Sequence, residues 1–199
     1  MTIVAFVTGY LIGSIPTALW LGGRWGVDLR DGGSGNPGAA NARRLGGFRL
    51  AVLVLTVEVV KGVTAVAAGS AIGDEAGAVG AGLGAIAGNV HNVWLGFRGG
   101  KGLGISAGVL LGIWPVMLPI AALVLVFTSA LTRSTGRGTL VGLGVLVIGA
   151  VVWGQRGGPE AWGVDDPRLL LLTAIGISLI LVRKHWHDAR HPVRSPVPR

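Results

Sequence analysis

From Gly102 to Thr132 the chain runs for 31 residues without one ionisable side chain. An apolar stretch of that length calls for lipid around it rather than water. As a single helix it would be about 46 Å long, against a hydrocarbon core of about 30 Å. Pro115 and Pro119 fall near its middle, so the sequence predicts a tight hairpin of two short helices. The rest of the chain is of the same kind. Of its 199 residues 51% are hydrophobic and 13% charged, with a mean hydropathy of +0.66. These values exclude disorder, a coiled coil and an ordinary water-soluble globule.

Further spans are predicted at Ile3–Leu21, Leu50–Ile72, Ala76–Leu95, Thr139–Trp153 and Leu169–Val182, which with the hairpin makes seven. The first lacks the basic leader of a cleavable signal peptide, and its first cation, Arg24, follows it. It is therefore expected to be a retained helix with its N-terminus outside. The charges agree with seven spans. Arg24, Arg30, Arg43, Arg44 and Arg49 fall in the first connection, Arg98 and Lys101 in the third, Arg133 and Arg137 in the fifth. Arg183, Lys184, Arg190, Arg194 and Arg199 follow the last span, whereas the second connection offers Asp74 and Glu75 and the fourth no charge. The sixth mixes Glu160, Asp165 and Asp166 with Arg156 and Arg168. Basic and non-basic connections thus alternate, and reading Gly102–Thr132 as one helix would break the alternation.

The expected architecture is all-α: a polytopic membrane protein of seven short transmembrane helices, N-terminus outside and C-terminus cytoplasmic. Residues 1–199 form a single transmembrane domain. The net charge of +8 then reads as a cytoplasmic edge, not as a nucleic-acid surface, and no aromatics are interleaved with it as in a single-strand binder. Glycine, at 36 residues, recurs at Gly80, Gly84 and Gly88 and at Gly104, Gly108 and Gly112, the spacing of closely packed membrane helices. The chain has no cysteine, hence no disulfide, thiolate metal site or cysteine nucleophile.

Two basic connections carry chemistry. Residues 32–44 join Gly33, Ser34, Gly35, Asn36, Asn41 and Arg44, in which glycine turns, neutral donors and a guanidinium fork suit phosphate oxygens. Phe97-Arg98-Gly99-Gly100-Lys101-Gly102 opens a helix, a ready anion site with a point charge added. On one membrane face the two would make one phosphate-binding site. Glu58 and Lys61, one turn apart within a span, are expected to pair, either as pure structure or to shape the site beside the first loop. His187 and His191 have chelate spacing, but a basic headgroup-facing tail is the commoner use, and no metal is expected.

These loops resemble the bacterial acyl-phosphate:glycerol-3-phosphate acyltransferases. The family's Gly-Ser-Gly-Asn-x-Gly-Ala-x-Asn-x-x-Arg motif is matched from Gly33 to Arg44, and Phe-x-Gly-Gly-Lys-Gly from Phe97 to Gly102. Glu58 to Gly62 and Ala130 to Arg133 match two shorter runs, and His185 the opening of the C-terminal motif. The resemblance covers nearly the whole chain. It implies transfer of a fatty acyl group from acyl phosphate to the 1-hydroxyl of glycerol 3-phosphate, giving lysophosphatidic acid and phosphate, at the cytoplasmic face of a bacterial plasma membrane. Its implied catalytic residues are Ser34, Arg44, Lys101 and His185. Ser34, Arg44 and Lys101 would hold glycerol 3-phosphate, while Gly99, Gly100, Gly102 and neighbouring backbone would cradle the acyl phosphate. No cofactor is implied, and the partners are the two substrates and membrane lipid.

The chain departs from the pattern in places. Gly88-Asn89-Val90-His91-Asn92 stands for Gly-His-x-Phe-Pro, and His185, Asp188 and His191 stand for His-x-x-Asn-x-x-Arg with no later acid. Ala40 replaces a common threonine, and Gly136 and Thr139 replace serines. A divergent paralogue with altered substrates or no activity, and a small membrane anion transporter, are the rival functions. A transporter would place polar groups at the bilayer midplane in repeated halves, whereas here they gather at the cytoplasmic ends.

Overall fold

The computed structural model describes residues 1–158 and 161–190. Among them there is no strand. The helices are α1 (Thr2–Ser14), α2 (Thr17–Arg24), α3 (Ala39–Val90), α4 (Leu103–Ile113), α5 (Met117–Thr132), α6 (Thr135–Arg156) and α7 (Pro167–Arg190), with a single 3-10 turn at Val93–Leu95. Four helical stretches, Thr2–Arg24, Ala39–Leu95, Thr135–Arg156 and Pro167–Arg190, are long and apolar enough to cross a membrane, and α4 and α5 are shorter apolar helices.

Helix α3 is not one rod. Gly47 (φ 80°) and the pair Gly73 and Asp74 (φ 51° at Asp74) break it into stretches 39–46, 48–72 and 75–90. The second and third fold back on each other so closely that a Cβ on Gly69 would overlap the carbonyl of Gly77. The glycine stripes do what their spacing predicts. Gly80, Gly84 and Gly88 meet Thr2, Phe6 and Tyr10, laying α1 parallel on stretch 75–90. Gly104, Gly108 and Gly112 meet Glu58, Val59 and Val66, laying α4 parallel on stretch 48–72. Backbone contact of this kind replaces the hydrophobic drive that lipid removes. A core of Val66, Ile86, Val90, Ile105, Val109, Ile113, Leu146, Leu170, Ile177 and Leu181 fills the centre. Leu123, Val126, Phe127, Leu131, Ile148 and Leu179 face outward, as a lipid-facing surface requires.

Several expected boundaries shift. The first span is interrupted at Ile15 and Pro16, where proline cannot donate to the helix ladder. The third ends as a helix at Val90. The predicted hairpin is two helices, but it is not tight: α4 lies on α3 and α5 on α6, and the pair hardly touch beyond the bend at Trp114–Val116. Helix α6 starts at Thr135, where the Ser134 hydroxyl accepts the Arg137 N–H at 3.3 Å. Helix α7 starts at Pro167, with Asp166 Oδ1 accepting the Arg168 N–H at 2.8 Å, and continues to Arg190. His185 and Asp188 are therefore helical and packed, not part of a headgroup-facing tail. His191, Arg194, Arg199 and Glu160 lie outside the described residues.

The connections sort by charge onto two ends of the bundle. At one end Glu75 accepts the N–H groups of Asp165 (3.1 Å) and Asp166 (3.3 Å), and Trp162 donates to the Leu111 carbonyl at 2.9 Å. At the other end the basic connections gather around a cavity.

Candidate functional site

That cavity has a volume of about 420 Å³. Five segments enclose it: residues 34–44, Glu58 with Asn89, the loop into α4 with Gly100, Lys101 and Gly102, the bend Ser129–Gly136, and His185 with Asp188 on α7. Of the site residues expected from the sequence, Ser34, Asn36, Asn41, Arg44, Gly100, Lys101, Gly102 and His185 border it. Gly33, Gly35 and Gly99 do not border it and shape the loops behind it. Gly33 (φ 62°) and Gly35 (φ 66°) take left-handed turns that L side chains rarely adopt.

The first loop is organised by Asn41. Its Oδ1 accepts the Ser34 N–H at 2.8 Å, and its Nδ2 donates to the carbonyls of Leu29 (2.8 Å) and Gly32 (3.0 Å). The residue is 1% exposed, so its carboxamide is spent on the loop and not offered to a ligand. What this leaves at the cavity is the Ser34 hydroxyl and, from the second turn of α3, the Arg44 guanidinium. Neither has a hydrogen-bond or ion-pair partner among the described residues.

The second loop is held from α7. Lys184 Nζ donates to the carbonyls of Gly100 (2.7 Å), Gly99 (2.8 Å) and Val90 (3.2 Å). His185 is fully buried, and its Nε2 donates to the Lys101 carbonyl at 3.2 Å. Because a carbonyl only accepts, the proton sits on Nε2 and the lone pair on Nδ1. Nδ1 is buried without a hydrogen-bond partner among the described residues. Lys101 itself is ion-paired with Asp188. Sequence reasoning missed Lys184, which reads as one more cation after the last span, and Asp188, which reads as a mere departure from a motif.

Glu58 and Lys61 pair at 3.1 Å and are both buried. They are structural and site-shaping at once. Lys61 Nζ donates to the Ile15 carbonyl at 2.8 Å, a group exposed by the break at Pro16. Glu58 accepts from Thr17 Oγ1 (3.1 Å) and Asn89 Nδ2 (2.6 Å), and Asn89 accepts the Gly100 N–H at 2.9 Å through its carbonyl. Asn89, another motif departure, thus ties this network to the Lys101 loop. Gly136 is also explained. A Cβ there would come within 2.5 Å of the Ala189 nitrogen and 2.7 Å of the His185 carbonyl, so a serine would push α6 off α7. Thr139 instead bonds within its own helix, to the Thr135 carbonyl at 2.8 Å.

Chemically, a serine hydroxyl, a guanidinium, an ammonium and glycine backbone around one cavity are groups suited to phosphate oxygens. A glycerol-3-phosphate acyltransferase family model matches residues 3–194. The glycerol-3-phosphate acyltransferase of Synechococcus sp. (strain JA-3-3Ab) is 41% identical over 184 residues, covering 92% of this chain and 86% of that one. That of Agrobacterium fabrum is 39% identical over 185 residues, covering 92% and 82%. The crystal structure of PlsY (YgiH), an integral membrane glycerol 3-phosphate acyltransferase in its glycerol 3-phosphate form, superposes with a TM-score of 0.80. It shares 25% identity and covers 96% of this chain and 90% of that one. Its lysophosphatidic acid form has the same TM-score at 24% identity. With the family model and the relatives matching over nearly its full length, the chain belongs to the glycerol-3-phosphate acyltransferase family.

Proposed function

We propose that this chain transfers a fatty acyl group from acyl phosphate to the 1-hydroxyl of glycerol 3-phosphate, releasing lysophosphatidic acid and inorganic phosphate. It does so as a seven-span protein of the bacterial plasma membrane, N-terminus outside, with the cavity at the cytoplasmic face. The observation that carries this reading is the convergence of Ser34, Arg44, Gly100 and Lys101, from two loops far apart in sequence, on one cavity. Ser34, Arg44 and Lys101 hold the glycerol 3-phosphate phosphate, the glycine backbone before α4 receives the donor phosphate, and the acyl chain extends between helices into lipid.

The donor is already activated, so positioning and charge neutralisation supply much of the rate. The hydroxyl oxygen forms a bond to the acyl carbonyl carbon while the carbonyl carbon–phosphate oxygen bond breaks. The hydroxyl proton passes to the departing phosphate. His185 is a poor alternative as base, because its Nε2 is engaged by the Lys101 carbonyl and its Nδ1 is sealed from the cavity. Its role is to orient the Lys101 backbone.

The test is the purified full chain in lipid, supplied with palmitoyl phosphate, palmitoyl-CoA or palmitoyl-acyl-carrier protein, each with glycerol 3-phosphate. Phosphate release coupled to acyl-glycerol phosphate formation with the first donor alone is expected. Transfer from either thioester would overturn the donor assignment, and anion uptake into vesicles without any transfer would overturn the enzyme.

A further inference from the structure

The ion pair between Lys101 and Asp188 bears on that function. Both side chains border the cavity, with 30% and 22% of their surface exposed. Two acidic residues line this wall, and they differ. Glu58 is neutralised away from the ligand space by Lys61, Thr17 and Asn89. Asp188 has Lys101, a cation assigned above to the substrate phosphate.

The partners also differ in freedom. Asp188 has a short side chain, rooted one turn beyond the buried His185, and its Cβ lies 2.8 Å from where a side chain on Gly136 would begin. It is pinned between α6 and α7. Lys101 hangs on four rotatable methylenes from a loop whose backbone is clamped by Lys184 and His185. The ammonium is therefore free to swing toward an anion, whereas the carboxylate is fixed as a like charge beside the place that an anion would take.

We propose that Asp188 is a built-in competitor of the substrate phosphate: its carboxylate holds Lys101 until a phosphate monoester displaces it, and so sets the affinity for glycerol 3-phosphate. The inference rests on Lys101 being a ligand of that phosphate. Asp188 weakens capture and favours release of the charged product.

Initial rates with the full chain in lipid test this, varying glycerol 3-phosphate and palmitoyl phosphate separately for the unaltered protein, Asp188→Asn, Lys101→Met and the double variant. Asp188→Asn keeps the shape and removes the charge. The expected result is a KM for glycerol 3-phosphate lowered about fivefold, the worth of a partly exposed ion pair at the upper end of its range. The KM for palmitoyl phosphate should move much less. In the Lys101→Met background the carboxylate has lost its ion-pair partner, though Lys184 remains near it, and it repels the phosphate, so adding Asp188→Asn should recover part of the lost affinity. Where Asp188→Asn lowers expression, Asp188→Ser serves in the same comparison. An unchanged or raised KM for glycerol 3-phosphate in a folded Asp188 variant overturns the proposal. So does a double variant no better than Lys101→Met alone. Absence of transfer by the unaltered protein would instead overturn the function on which it rests.

Discussion

The carboxamide of Asn41 accepts the backbone N–H of Ser34 at 2.8 Å, seven residues earlier in the chain. One buried side chain therefore fixes the turn from which the Ser34 hydroxyl reaches the cavity. Asn41→Ala removes the acceptor of the Ser34 N–H and the donor to the Leu29 and Gly32 carbonyls; Gly32 keeps the Gly35 N–H, and the other two groups are each worth about 1–3 kcal/mol when left unsatisfied. The expected outcome is a lower melting temperature together with a rise of at least about tenfold in KM for glycerol 3-phosphate. Asn41→Asp keeps the acceptor for Ser34 but sets a carboxylate against the Leu29 and Gly32 carbonyls, and should be no better. Steady-state kinetics beside thermal unfolding in detergent checks both.

Lys184 is expected to act on the reaction through the backbone it holds. Lys184→Met leaves the carbonyls of Val90, Gly99 and Gly100 without their ammonium donor. Val90 keeps the Gly99 N–H, and a loss of about 1–3 kcal/mol at each of the other two carbonyls is enough to free the loop that carries Lys101. The kcat/KM should fall by at least about tenfold, with both substrates affected, and Lys184→Arg should restore part of it. A fall in stability with unaltered kinetics would show that the loop does not depend on this clamp.

For Glu58 and Lys61 the expected signature is non-additivity. Lys61→Met alone leaves a buried carboxylate without its cation, a cost of about 3–5 kcal/mol, while the Ile15 carbonyl keeps the Thr17 N–H. Adding Glu58→Gln removes the orphaned charge, so the double variant should unfold at a higher temperature than Lys61→Met. A double-mutant cycle by thermal unfolding measures the coupling.

What could be read from the sequence depended on how local the signal was. The two glycine stripes work through fixed helical spacing, and the bend at Pro115 through backbone chemistry, so both were legible. The motif loops named Ser34, Arg44 and Lys101 because phosphate-binding groups cluster there within a few residues. Asn41 was legible as a site residue, but its carboxamide suits a ligand and a loop equally, and only the fold shows it turned inward. Lys184 and Asp188 were not legible. Their partners lie 84 to 94 residues away, at Val90, Gly99, Gly100 and Lys101, and among the cations after the last span a lysine that clamps backbone looks like any other. The extent of α7 hid them too, because hydropathy ends that helix at Val182 while packing against Gly136 carries it to Arg190.

The central claim is that Ser34, Arg44 and Lys101 together hold the phosphate of glycerol 3-phosphate while an acyl phosphate is attacked beside them. Initial rates of glycerol 3-phosphate-dependent phosphate release from palmitoyl phosphate, for the unaltered chain and for Ser34→Ala, Arg44→Ala and Lys101→Ala in the same lipid, measure it most directly. The account predicts robust release by the unaltered chain and losses of at least about tenfold in kcat/KM for each variant, the scale of one lost charge-assisted hydrogen bond. Three folded variants that turn over at the unaltered rate would contradict it.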